Sequence, residues 1–372
     1  MKYSQVYFTS FKTTQNENLI QKMHRLMKAA GFEDIDFTNK YTAIKMHFGE
    51  YGNLAMLRPN YARVVVDYVK ERGGKPFLTD CNTLYVGSRK NAIDHMETAY
   101  LNGFTPYTVG CPVIIADGLK GTNEVLVQIN GDYVKEAKIG ASIMDADIVI
   151  SLTHFKGHET VGFGGALKNL GMGSGSRGGK MEQHSDGKPT VNHSKCVGCG
   201  SCIKICAHEG PSITEKKATI NHSKCVGCGR CLAVCPKDAI SADNGSIKSL
   251  NCKIAEYAYA VCKDRPTFHV SLIMDVSPNC DCHSENDIPI IPDVGMLASY
   301  DPVALDMACV DLANRQPIIN GSILSDNTNR IGATEKNHEH FHMTHPEAEW
   351  ESCLEHAERI GLGSRTYDLV MI

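Results

Sequence analysis

The sequence predicts an α/β protein: a largely parallel, Rossmann-like sheet with helices on both faces, interrupted by a small inserted α+β module. Two observations carry that expectation. Up to about residue 187, short apolar runs alternate with amphipathic helical runs, the pattern of strands and helices around a parallel sheet. From 188 to 245 this pattern stops, and eight cysteines arrive in two copies of one spacing. The expected division is a first part of the body at 1–187, the module at 188–245 and the rest of the body at 246–372.

The elements follow in order. Leu19, Ile20, Met23, Leu26, Met27 and Ala30 recur at helical spacing and stop at Gly31. Residues 42–47 are an apolar run leading into Lys45, His47 and Glu50. Pro59 opens a helix with Tyr61, Val64, Val65, Tyr68 and Val69 inward, closed by Gly73 and Gly74. The strand at 76–79 ends in Asp80 and Thr83, and a helix over 91–101 stops at Gly103. Residues 112–116 form a strand ending in Asp117. Residues 125–133, with Asn130-Gly131-Asp132 at the centre, read as a hairpin, and 135–144 as a helix. The strand at 147–152 ends in His154, Lys156 and His158. Farther on come a strand at 267–274 and a helix from Asp301-Pro302 through Leu312, with proline at its first position. Trp350 packs a final helix over 347–359, and 366–372 closes as a strand.

Ligands of parallel sheets bind at the carboxyl ends of the strands. Four predicted strands end in polar, chemically capable residues, so a shared cleft is expected there. His47, Asp80, His154, His158 and Lys168 are its candidate catalytic residues. Residues 161–180 read as a glycine-rich loop, in which Gly164, Gly165, Arg177 and Lys180 are candidates for holding an anion or cofactor; a hinge into the module is the plainer alternative. The stretch Gly173-x-Gly175-x-x-Gly178 follows no strand directly, which argues against a dinucleotide fingerprint.

The two cysteine copies are Cys196, Cys199, Cys202, Cys206 and Cys225, Cys228, Cys231, Cys235. Each is C-x2-C-x2-C-x3-C, the run that holds a cubane cluster in bacterial-type ferredoxins, where the fourth cysteine ligates the other cluster. The expectation is therefore a 2[4Fe–4S] ferredoxin-like module. Cys196, Cys199, Cys202 and Cys235 hold cluster 1; Cys225, Cys228, Cys231 and Cys206 hold cluster 2. Zinc sites pair cysteines across longer gaps. The flanks repeat as well: Asn192-His193-Ser194-Lys195 recurs 29 residues later as Asn221-His222-Ser223-Lys224. Proline follows Cys235, but Ala207 and His208 follow Cys206, which brings an imidazole near one cluster and lets the two potentials differ.

Cys280-x-Cys282, followed by His283, is a possible additional metal site, with Cys252 or Cys262 as further ligands; free buried thiols are the plainer reading. Cys309 and Cys353 read as core residues. His338, His340, His342 and His345 read as a solvated loop, with metal binding as the alternative.

Composition excludes some classes. Charged residues are 22% and hydrophobic ones 42% of the chain, ordinary for a soluble globular protein. A net charge of −4 argues against a nucleic-acid partner. No apolar window reaches membrane length, and the N-terminus lacks a signal-peptide layout. Sixteen cysteines point to a reducing, cytoplasmic and anaerobic setting. Residues 188–245 carry eight basic and four acidic side chains, which bound clusters would offset. Such a module suits a relay inside its own protein better than an acidic shuttle.

Lys45-Met-His-Phe-Gly-Glu, Thr79-Asp80, Asn82-Thr83-Leu84-Tyr85, Ile115-Ala-Asp-Gly118, His154-Phe-Lys-Gly-His158, the stretch Gly162–Gly173, Cys280-Asp-Cys282 and Asp301-Pro-Val-Ala-Leu-Asp306 resemble the iron–sulfur centre proteins of the domain-of-unknown-function 362 family, with a ferredoxin module inserted. The resemblance spans nearly the whole chain and implies architecture rather than a reaction. A cysteine is common in that family where this chain has Ser174, so any metal role there is lost. Separately, His158-x3-Gly162-Phe-Gly-Gly165-x2-Lys168 is similar to a stretch of nickel-pincer lactate racemases, where the lysine anchors the cofactor; the spacing differs by one residue.

Three functions follow as expectations. The first is a redox protein passing electrons from two [4Fe–4S] clusters to a small anionic substrate or a further metal or organic cofactor in the cleft, with an electron donor or acceptor protein as partner. The second is a non-catalytic electron carrier or cluster-handling protein. The third is a racemase- or lyase-like enzyme with structural clusters.

Overall fold

The computed structural model describes residues 3–84, 87–185, 188–242, 246–334 and 339–372. In chain order the body begins with β1 (Ser4–Ser10), α1 (Leu19–Ala29), β2 (Tyr41–Lys45), α2 (Pro59–Glu71), β3 (Lys75–Asp80), α3 (Ala92–Leu101), α4 (Pro106–Val109) and β4 (Val113–Ile115). It continues with β5 (Glu124–Gln128), β6 (Glu136–Gly140), α5 (Ala141–Met144), β7 (Ile148–His158), β8 (Gly162–Gly164), α6 (Ala166–Ser174) and α7 (Arg177–Ser185). The cysteine-rich stretch supplies β9 (Pro189–Val191), α8 (Ser201–Ile205), β10 (Pro211–Thr214), β11 (Lys217–Ile220), α9 (Arg230–Ala233) and β12 (Ile240–Ala242). The remainder is α10 (Ile247–Cys262), β13 (Thr267–Ile273), β14 (Gly295–Ser299), α11 (Pro302–Asn314), α12 (Ile323–Ile331), α13 (His340–Thr344), α14 (Glu351–Arg359) and β15 (Tyr367–Met371).

The central sheet runs β15-β1-β14-β13-β7-β2-β3-β4, with β8 paired to β7. β13, β7, β2, β3 and β4 are parallel neighbours, while β14 opposes both β1 and β13. The fold is thus mixed α/β with a mostly parallel sheet. Successive strand residues enter opposite cores, as the two-residue period requires: Ala43 and Val149 pack with α10 and α11, and Ile44, Ile148 and Ile150 with α1 and α2. Asp301 caps α11 by accepting the N–H groups of Val303 and Ala304, each at 2.9 Å. No helix among the described residues is long and apolar enough to cross a membrane.

The structure departs from the sequence reading at identifiable places. Residues 136–140 are not helical but form β6, pairing with β5 in a hairpin whose second arm lies beyond Tyr133. Only Ala141–Met144 turns into a helix. The stretch 161–180 is not a loop. It is β8 and two helices, and its glycines serve close packing: a Cβ on Gly171 would lie 2.1 Å from the Ile254 carbonyl oxygen, and one on Gly173 2.4 Å from Lys45 Nζ. β7 runs on through His154, Lys156 and His158 instead of ending before them. α10 escaped notice because it is buried nearly all round and shows no clean polar face.

Candidate functional site

A cavity of about 90 Å³ opens where β2, β3, β7 and β13 end. Lys45 and His47 come from the end of β2, and Asp80 and Thr83 from the end of β3. β7 contributes His154 and Lys156, α6 contributes Lys168 and Asn169, α7 contributes Lys180, and the turn after β13 contributes Cys280, Asp281 and Cys282. Arg89, Gly164 and Gly165 complete the parts used below.

Charge is paired inside this wall. Lys45 Nζ sits 3.0 Å from Asp80 Oδ1, with the side chains 1% and 3% exposed. Burial opposes the Asp80 charge, yet the Lys45 ammonium beside it holds its carboxyl well below the usual range. Asn169 locks the pair: its Oδ1 accepts from Lys45 Nζ at 2.8 Å, and its Nδ2 donates to the Lys45 carbonyl at 3.0 Å. Arg89 pairs with Glu50 at 2.9 Å and reaches His47 Nε2 at 2.9 Å, while Gly49 N–H donates to His47 Nδ1. Both ring nitrogens of His47 thus face donors. Burial and Arg89 push its pKa down to about 3, so His47 is neutral and cannot serve as an acid near neutrality.

His154 spends both nitrogens on structure, facing Asp281 at 2.8 Å and the Met274 carbonyl at 2.7 Å. It pins the 280–282 turn and has no nitrogen left for a substrate. His158 lies behind Cys280, outside the cavity wall. Asp117 is also outside: it accepts from Asn82 N–H and Nδ2, and burial raises it to about 6. Of the predicted anion cradle, Gly164, Gly165 and Lys180 reach the cavity, though Lys180 donates to the Gly175 carbonyl at 2.6 Å. Arg177 does not. It is fully buried, donates to the Lys90 and Lys120 carbonyls, and would be met at 2.8 Å by a Cβ on Gly229.

The cysteine-rich stretch shows its duplication in space. β9 pairs with β12 and β10 with β11. Asn192 accepts from Ser194 as Asn221 accepts from Ser223, both hydroxyl bonds at 2.6 Å. Cys196, Cys199, Cys202 and Cys235 line one small cavity; Cys206, Cys225, Cys228 and Cys231 line another, with His208 in its wall. Gly198, Gly200, Gly227 and Gly229 all take positive φ, which lets each loop fold around its cysteines. Backbone N–H groups of Ala218, Gly210 and Ala239 donate to the sulfurs of Cys196, Cys206 and Cys235 at 3.3 to 3.4 Å. Four thiols around each pocket, with amides aimed at sulfur, suit a cubane cluster. The stretch packs on the body through Leu84 and Met181, which share an apolar core with Cys196, Cys202 and Leu232. Lys90 and Asp238 pair across the same contact.

Residues 42–311 match the family described as Domain of unknown function (DUF362). The chain belongs to the DUF362 family. It is 28% identical over 119 residues to a thylakoid-associated protein of Synechocystis sp., covering 32% of this chain and 33% of that one. Among solved structures it is similar to the lactate racemase apoprotein from Thermoanaerobacterium thermosaccharolyticum, with 9% identity, TM-score 0.41 and coverage of 78% of this chain and 55% of that one. A crystal structure of a protein from Thermotoga maritima matches with 15% identity, TM-score 0.42 and coverage of 79% and 58%. The chain thus spans a third of the curated relative and little over half of each solved chain. Likenesses at these scores say nothing about chemistry.

Among the described residues of this DUF362 chain, the remaining candidate metal ligands are not brought together. Cys252 lies beside Tyr133 and His356, and Cys262 beside Thr267; neither lines the cavity with Cys280 and Cys282. The ammonium groups of Lys156 and Lys168, 3.8 and 3.6 Å from Cys280 Sγ, oppose a cation there. His340, His342 and His345 are not a solvated loop. The first two lie on α13, and each ring takes a separate partner: the Gln316 carbonyl, Glu339 and Glu351, and the Pro278 carbonyl. His338 lies outside the described residues. The sequence reading left Arg89, Asn169 and Asp281 out of the site. Arg89 sits in no periodic element, Asn169 became visible only when β2 and β7 came together, and Asp281 only when β13 joined β7.

Proposed function

We propose that this chain is an iron–sulfur redox protein acting on a small anionic substrate or cofactor in the sheet-end cavity, with a protein electron donor or acceptor as its partner. In this reading Cys196, Cys199, Cys202 and Cys235 hold one [4Fe–4S] cluster, and Cys225, Cys228, Cys231 and Cys206 the other. Bound clusters of this type supply single electrons. One observation carries the reading: Leu84 lines the cavity and also belongs to the apolar core around Cys196 and Cys202. The two regions share a wall, as a relay serving that cavity requires. Within the cavity, Lys168 and Lys180 attract the anion, while the Lys45–Asp80 pair and Asn169 keep the floor rigid and exclude water. A carrier without catalysis would have little use for an enclosed, charge-lined cavity beside its cysteines.

The test is anaerobic purification, with iron, sulfide, zinc, nickel and bound small molecules measured on one sample. About eight iron and eight sulfide per chain are expected, together with a bound anion. Zinc without sulfide would overturn the reading. Iron and sulfide in a cavity that takes no anion would favour the carrier.

A further inference from the structure

Cys280 and Cys282 face the cavity, and the proposed function uses neither. Three donors converge on the Cys280 sulfur. Lys168 Nζ stands 3.6 Å away and Lys156 Nζ 3.8 Å, and the His158 ring is within hydrogen-bonding reach. The other side of His158 decides its tautomer: Nδ1 accepts the backbone N–H of Thr160 at 3.0 Å and of Val161 at 3.3 Å. The neutral ring therefore carries its hydrogen on Nε2, which donates to the sulfur. The Cys282 thiol is also within hydrogen-bonding reach of Cys280. A sulfur among two ammonium groups, an imidazole N–H and a thiol is a thiolate. The Cys282 hydrogen bond and then the two lysines hold Cys280 well below the ordinary thiol range despite burial. Cys282, which gives the hydrogen, is pushed up.

The turn that carries the pair is clamped. His154 holds Asp281, and Gly157 N–H donates to the Ser277 carbonyl at 2.9 Å. A Cβ on Gly157 would meet the Pro278 carbonyl oxygen at 2.4 Å, so the turn lies directly on β7. Five cationic side chains and two carboxylates line the cavity in front of it.

We propose that Cys280 and Cys282 are a redox-active dithiol–disulfide pair, with Cys280 the attacking thiolate and Cys282 the resolving thiol, acting on small anionic disulfides. The Cys280 thiolate attacks one sulfur of the substrate. The substrate S–S bond breaks, one half leaves as a thiolate, and the other half stays on Cys280 as a mixed disulfide. Cys282 gives its proton to the departing thiolate and attacks the Cys280 sulfur. The Cys280–Cys282 bond forms as the mixed disulfide breaks. Two electrons pass to the substrate: one disulfide is reduced and one is made. A dithiol reductant restores the pair by the reverse exchange. This chemistry holds whether or not the cysteine module carries iron.

The test uses the full chain, anaerobically, in graded mixtures of reduced and oxidised dithiothreitol. Free thiols are then alkylated, and the peptide containing Cys280 and Cys282 is weighed. That peptide is expected to pass from two alkyl groups to none, with loss of two hydrogens, along a two-electron curve. Alkylation of both sulfurs at every ratio would overturn the proposal. The Cys282→Ser protein is then exposed to dithiodipropionic acid or to cystamine. A stable mixed disulfide on Cys280 is expected, forming at least tenfold faster with the anionic reagent. Equal rates, or faster reaction with cystamine, would sink the anion preference. In Lys156→Met/Lys168→Met protein, alkylation of Cys280 at pH 7 is expected to slow at least tenfold; an unchanged rate in a folded variant would remove the lysines from the account. Iron and sulfide assays on the same samples test the cluster reading separately.

Discussion

The cysteines of the 188–242 stretch and the pair at 280 and 282 are held by opposite means. In the first region the sulfurs meet backbone amides and apolar side chains such as Leu232 and Ala218. Its ion pair between Lys224 and Glu209 is at the surface, with side chains 51% and 87% exposed. In the second, Cys280 meets the buried Lys156, the half-buried Lys168 and an imidazole, within a wall of paired charges. In the functions proposed above, the thiols among amides and glycines are ligands, and the thiol among ammonium groups is the attacking group. The same side chain is given different chemistry by its neighbours.

That contrast can be broken most directly by metal content. Replacing Cys202 and Cys231 with serine should remove most of the iron from anaerobically purified protein, whereas Cys280→Ser/Cys282→Ser should leave it unchanged. Iron loss from the second variant would merge the two regions into one metal-binding system.

Stability should separate them next. Asp80→Asn strands the buried Lys45 ammonium, a loss of about 3–5 kcal/mol in urea unfolding. Lys224→Ala, on the exposed pair, should change stability by no more than about 0.5 kcal/mol. Similar costs for both would show that the cavity's charges are not isolated from water. Leu84→Ala tests the shared wall. It should cost about 2 kcal/mol, at the low end for a buried leucine, and raise protease cutting between 188 and 242 more than elsewhere.

The last expected effect is in pH. His47 is held to about 3 by burial and Arg89, below its ordinary 6.5. Between those values the unfolded chain binds a proton that the native one refuses. The His47 contribution is therefore fully present above 6.5 and is lost as pH falls toward 3. By pH 5 the loss should be about 2 kcal/mol, and His47→Gln should flatten that part of the stability curve. A curve of unchanged slope would mean that the ring is solvated.

Legibility differed between the regions for a reason visible in the residues. The eight-cysteine repeat is a local signal: the residues that line each small cavity lie within about forty positions of one another, and spacing alone suggests their grouping. The strand ends were legible as types but not as roles. His154 and His158 were both read as candidate catalytic residues. The fold commits His154 to Asp281 and Met274, and sets His158 behind a sulfur. Arg177 was read as an anion holder, yet it is buried under Gly229. The glycines between 161 and 180 were read as loop, because a glycine in a turn and a glycine beneath a crossing helix look alike in one dimension.

By itself, then, the sequence determined the alternation of strands and helices, the caps such as Asp301, the duplicated cysteine spacing and the chemical types at the strand ends. These depend on contacts a few residues apart, which spacing and periodicity record. The tertiary structure alone decided that Lys45 meets Asp80 and Asn169, that Lys156 and Lys168 face Cys280, and that Leu84 joins cavity to cysteines. Those partners are separated by 35 to 124 residues in the first two cases. Their energies come from burial and charge proximity, which exist only once the sheet has brought distant strands side by side.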